Sequence, residues 1–157
     1  MSKAVLIRIV GAAAAGILCT IVPAFEGTEY VGYADVGGIP TKCMGDTTDA
    51  VIGQRYSEAE CIESLETELI AHAGPVLKCV PQLEGHPYQI AASVSLAYNI
   101  GTGAFRKSTI AKNFRAGRWA EACRGFPAWN KAGGKVVQGL ANRRAAERKL
   151  CETELPS

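Results

Sequence analysis

The sequence predicts an α+β fold, and three observations carry that prediction. A stretch rich in Tyr, Val, Gly and Pro lies early, between residues 27 and 48. Runs with helical periodicity follow it, and neither an internal repeat nor a low-complexity linker divides them. At 157 residues the chain has the length of one domain with a sizeable core. A small β region followed by helices is the order of an α+β domain.

The elements follow in order. Residues Ile9 to Phe25 carry no charge, and Lys3 and Arg8 precede them. That is the charge order of an export signal. As a helix the run spans about 26 Å, just short of a ~30 Å hydrocarbon core. Val5 to Ile7, with Arg8 snorkelling, bring it to spanning length. Its GAAAAG stretch is almost all small residues, which favour lipid only weakly. A cleaved signal peptide, a lipid anchor on Cys19, a permanent anchor, and an uncleaved segment that later leaves the membrane all compete. Bulky Leu18 speaks against the lipid anchor. Cleavage after Ala24 would leave Glu26 beside a frayed terminus. The uncleaved, releasable segment is therefore the expectation, with 1–25 as that segment and 26–157 as the folded domain.

Tyr30, Val31 and Tyr33 favour strand, while Gly37-Gly38 and Pro40 mark tight turns. Ser57-Glu58-Ala59-Glu60 is a capping box. It opens a helix with Cys61, Ile62, Leu65, Leu69 and Ile70 on its apolar side, ending near Gly74-Pro75. Residues 87–100 are apolar nearly all round and predict a buried central helix with Pro87 in its first turn. Short helices are predicted at 108–116 and 118–124, and a last one from about Val136 to Glu152.

Composition narrows the function. A net charge of +2 without a dense basic stripe argues against nucleic acid as a partner. The six cysteines form no Cys-x2-Cys pair, and His72 and His86 lie near no cysteine cluster. No metal site and no cofactor are expected. Dispersed cysteines behind an apolar N-terminal run fit an oxidising compartment.

The chemistry is carried by Glu26-x8-Asp35-x5-Thr41. Glycosidic hydrolysis needs an acid for the leaving oxygen and a second carboxylate near the sugar's other face. Glu26, after an apolar helix, is expected to be half-buried and to keep its proton longer than in water. Asp35, among Gly and Pro turns, is expected to be more exposed and ionised. Two carboxylates in unlike surroundings can divide the acid and base roles. The Thr41 hydroxyl can hold water. Any such pair can equally be a solvated surface acid and a turn residue.

The Glu26, Asp35, Thr41 spacing resembles the triad of phage-type lysozymes, glycoside hydrolase family 24. CMGDT (43–47) resembles the turn that closes that family's β region, and SLAYNIGTGAF (95–105) its central helix and cleft turn. PAWNKAGGKVVQGLANRRAAERKLC (127–151) is similar to the W-x3-GG-K-x3-GL-x2-RR signature of lambdoid-phage endolysins. With the N-terminal segment, the pattern resembles a signal-arrest-release endolysin. Asp46 stands where the family commonly has His, and Pro40 where an aromatic is common.

The resemblance implies a lysozyme-like fold, mostly helical, with a cleft between a small antiparallel β lobe and a helical lobe. It implies a muramidase cutting the β-1,4 link between N-acetylmuramic acid and N-acetylglucosamine, with Glu26 as general acid. Asp35 and Thr41 handle the water, usually with inversion. It implies peptidoglycan as substrate and a functional link to a holin. A monomer first tethered to the inner membrane and then released to the periplasm is expected. Asn99 and Phe105 border the sugar cleft by resemblance; by themselves they read as a helix-terminal amide and a core aromatic. Trp129 and Arg144 read as structural, His72 and His86 as surface residues without a role. A non-catalytic peptidoglycan-binding protein of the same fold is the alternative. Among fifteen possible cysteine pairings, Cys43 with Cys61 would brace the β lobe. Cys123 and Cys151 lie on helices that the resemblance places together. Cys19 and Cys79 remain, as free thiols or as a bridge locking the N-terminal helix.

Overall fold

The computed structural model describes all 157 residues. Helices α1 (Ser2–Val10) and α2 (Ala12–Glu26) come first, followed by β1 (Glu29–Ala34) and β2 (Pro40–Cys43). Helices α3 (Glu58–Cys79), α4 (Pro87–Ile100), α5 (Thr102–Lys107), α6 (Thr109–Arg115) and α7 (Trp119–Arg124) follow. A two-residue hairpin pair, β3 (Lys131–Ala132) and β4 (Lys135–Val136), precedes α8 (Gln138–Cys151).

The N-terminal run is two helices where the sequence predicts one. Gly11 breaks it with φ 86°, a torsion that side chains other than hydrogen rarely adopt, and the axes bend by 116°. Leu6, Val10, Ala14, Leu18 and Val22 point into the shared core. α1 packs on α3, and α2 on α4. No single helix is long and apolar enough to cross a membrane, while the bent pair together carries such a stretch.

β1 and β2 pair antiparallel, Tyr33 opposite Thr41 and Glu29 opposite Cys43. The loop after them folds back so tightly that a Cβ on Gly32 would collide with the Val51 carbonyl oxygen. The predicted capping box opens α3: Ser57 accepts from the Glu60 amide, and Glu60 accepts from the Ser57 amide. The predicted stop at Gly74-Pro75 is wrong, since α3 runs through Pro75 to Cys79. Proline removes one backbone donor there. Burial of Ala73, Val76 and Val80 on either side offsets that loss.

α4 lies at the centre, with Gln89 to Ala97 all buried. Gln89 Nε2 donates to the carbonyls of Cys151 and Thr153 at 2.6 and 2.9 Å, tying α4 to the end of α8. α5 and the 131–136 hairpin are elements the sequence reading did not separate.

Two disulfides are present, Cys43–Cys61 and Cys123–Cys151. The first staples the β lobe to α3 and the second α7 to α8. The Cys19–Cys79 bridge weighed from sequence is absent, and both remain thiols. Cys19 lies near Glu66 of α3. Cys79 is thirteen residues further along that helix, about 20 Å away at 1.5 Å per residue. There its Sγ accepts from Arg115 Nη1 at 2.9 Å.

Candidate active site

Glu26 is the last residue of α2, held there because Gly27 turns the chain with φ 72° and donates back to the Pro23 carbonyl at 2.8 Å. The C-terminal end of a helix carries partial negative charge and is a poor place for a carboxylate. Arg143 of α8 offsets this: its Nη1 donates to Glu26 Oε1 at 2.5 Å. The second oxygen, Oε2, faces Gly45 in the turn after β2, where an added Cβ would lie 3.5 Å from it. The Glu26 side chain is 21 % exposed. The sequence anticipated the half-burial but not the ion pair.

Asp35 sits at the β1–β2 turn. One oxygen, Oδ1, accepts from the amides of Gly37 and Ile39, both at 2.8 Å. Two backbone donors fix the carboxylate and leave Oδ2 without a protein partner. Thr41, on β2, is buried, and its hydroxyl donates to the Ile39 carbonyl at 2.9 Å. Its oxygen can still accept a hydrogen bond, so a water there would donate to Thr41. Asp35 and Thr41 thus meet at Ile39, one on its amide and one on its carbonyl.

Asp46 replaces the family's usual histidine without loss of support. Its Oδ1 accepts from the Thr48 amide at 2.8 Å, and its Oδ2 accepts from Ser64 Oγ on α3 at 2.5 Å. Lys42 lies 3.7 Å away. Pro40 sits on an edge strand, which tolerates a missing donor.

The other named residues divide. Asn99 is exposed at the end of α4, and its Oδ1 accepts from Arg144 Nη1 at 3.0 Å. Phe105 is 1 % exposed, a core side chain; the expectation that it borders a cleft is not met. Arg144 is fully buried and structural, as read from the sequence. His72 and His86 are half-buried rather than surface residues, their rings packed at a tilt against Tyr98 at 5.2 Å and Trp119 at 4.8 Å.

The sequence reading missed Arg143 as Glu26's partner, Glu147 and Tyr98. Arg143, Arg144 and Glu147 recur at helical spacing on one face of α8, a signal for mutual contact. Tyr98 donates to the Met44 carbonyl at 2.8 Å and joins α4 to the turn beside Glu26. Burial, then the nearby Glu26 carboxylate, pushes its phenol well above the usual range. A cavity of about 610 Å³ lies elsewhere, between the β lobe and α3, and touches none of Glu26, Asp35 and Thr41.

The fold is that of a lysozyme-type protein, and the family model for phage lysozymes matches residues 23–147. The chain belongs to the phage lysozyme family. It is 37 % identical over 132 residues to the SAR-endolysin of Enterobacteria phage P21, covering 80 % of this chain and 76 % of that one. The active form of the P1 phage endolysin Lyz superimposes with a TM-score of 0.81, covering 97 % of this chain and 94 % of that one at 22 % identity. The muramidase domain of SpmX from Asticaccaulis excentricus gives 0.75 at 26 % identity, covering 87 % and 95 %.

Proposed function

We propose that this endolysin is a muramidase that cuts the β-1,4 bond between N-acetylmuramic acid and N-acetylglucosamine in peptidoglycan, with Glu26 as general acid. The observation that carries this reading is the placement of Glu26. It ends a half-exposed helix, one oxygen is held by Arg143, and the other is turned toward the β lobe. Glu26 gives its proton to the leaving oxygen. Asp35, pinned by two amides, takes a proton from the attacking water on the opposite face through its free Oδ2. Thr41 accepts a hydrogen bond from that water. The likeness in fold to the muramidase domain of SpmX supports the choice of bond.

The N-terminal segment remains uncleaved. It first tethers the chain to the inner membrane, and a holin frees it to fold as α1 and α2 in the periplasm. The SAR-endolysin relative supports this order. So does the position of Glu26, whose helix is the segment itself.

Glu26→Gln tests the chemistry. The amide cannot supply the proton, so clearing of outer-membrane-permeabilised cells should fall at least a hundredfold (about 10²–10⁴ for a general acid) with the melting temperature retained. Clearing at the wild-type rate would favour the non-catalytic binding alternative. Mass spectrometry of the periplasmic protein should find the intact N-terminal segment; a cut near Ala24 would exclude the release model.

A further inference from the structure

Arg143 does not serve Glu26 alone. Its Nε lies 3.8 Å from Glu147 Oε2, and Arg144 Nε lies 2.5 Å from Glu147 Oε1. Four charged groups therefore alternate in sign: Glu26, Arg143, Glu147, Arg144. We propose that Glu147 is a positioning residue for Glu26, acting through Arg143 by sharing that guanidinium between the two carboxylates.

The geometry carries this. Glu147 is 0 % exposed, so water does not screen it. Its carboxylate is held chiefly by the charges of Arg144 and Arg143, with Arg144 and the Ser95 hydroxyl also in hydrogen-bond reach. Arg144 is anchored independently, through Asn99. Arg143 is confined by Ser95, whose carbonyl accepts from Nη2 at 3.0 Å, and by the Phe25 ring 4.9 Å away. With its location fixed, what remains variable is how its charge is divided. Arg144 also feels Glu26 directly. The other titratable group near Glu26 is Tyr98 of α4, with Glu68 of α3 and Asp46 of the β lobe beyond it. Burial pushes the Glu147 carboxyl above the ordinary carboxylate range, against the pull of Arg144 and Arg143.

The sign of each perturbation follows. Without the charge of Glu147, Arg143 faces Glu26 as its sole carboxylate, and Glu26 gives up its proton at lower pH. Without the charge of Arg144, Glu147 draws on Arg143 alone, and Glu26 keeps its proton to higher pH. The catalytic consequence rests on Glu26 being the general acid.

The test is the pH profile of kcat/KM on purified peptidoglycan. Glu147→Gln should move the alkaline limb down by about one pH unit and Arg144→Met should move it up, the low end for a neighbouring charge. The double variant should return toward wild type. General loosening of the fold would lower the rate without opposite-signed shifts. Limbs that stay put, or that both move the same way, overturn the proposal. A second readout needs no substitution: in wild-type protein the Glu26 carboxyl carbon, followed by 13C NMR, should titrate in two steps, the second reporting Glu147. A single step overturns the coupling even if the variants do not fold. Should Glu26→Gln keep full activity, the general-acid reading falls, while this titration still decides whether Glu147 governs Glu26.

Discussion

Helices α2 and α4 pack side by side, and their composition and burial run in opposite directions. α4 carries Gln89, Ser93, Ser95 and Asn99, yet nine consecutive residues of it are buried. Before Glu26, α2 carries a single hydroxyl, Thr20, yet only Ala14, Ala15, Leu18 and Val22 are buried. The more apolar helix is the less enclosed one. Three polar side chains of α4 have distant partners, while the Ser93 hydroxyl has none: Gln89 meets the end of α8, Ser95 meets Arg143 and Asn99 meets Arg144. The one hydroxyl of α2 donates to its own helix, to the Gly16 carbonyl at 2.9 Å, and so requires no water. The two helices are distinguished here by where their polar side chains find partners, across the core for α4 and within the helix for α2.

The contrast can be broken most sharply at two fully buried leucines. Leu96→Ala in α4 is expected to cost about 4 kcal/mol, and Leu18→Ala in α2 about 2–3 kcal/mol, because a half-exposed helix relaxes into the gap. Urea melts measure both, and a reversed order would remove the distinction. A smaller effect is expected at Tyr98. Its pKa is raised in the folded state, so the stability it contributes is complete below about pH 10 and fades as pH rises past that value. Thermal melts should weaken above that point, and Tyr98→Phe should flatten the decline; an unchanged slope would place the alkaline sensitivity elsewhere. The smallest effect is expected at Gly16, where an added Cβ meets nothing within 4 Å. Gly16→Ala should raise stability by about 0.5–1 kcal/mol through helix propensity alone. A destabilised variant would mean that the outer face of α2 is less free than its exposure implies.

Local signals were the legible ones. The Ser57–Glu60 capping box fixed where α3 begins, and the Gly-Gly-x-Pro turn placed the hairpin that carries Asp35 and Thr41. Features that depend on distant partners were not legible. The Arg143–Glu26 pair spans 117 residues, and nothing near Glu26 announces it. Asp46 read as a departure until Ser64, eighteen residues on, supplied its partner. Pro75 and Gly11 failed in opposite senses: tertiary burial carried a helix through a proline, while a glycine with no special neighbours ended one. Propensity is a weak prior beside packing.

Gly11 has a consequence in lengths. Bent, the segment lies as two short rods against the domain. Straightened into one helix, residues 2–26 measure about 38 Å at 1.5 Å per residue, more than the ~30 Å of a bilayer's interior. The bent form depends on φ 86° at position 11, and the straight form does not. Gly11→Ala would strain the first and favour the second, so one torsion angle sets the balance between a bent and a straight form of the same 25 residues.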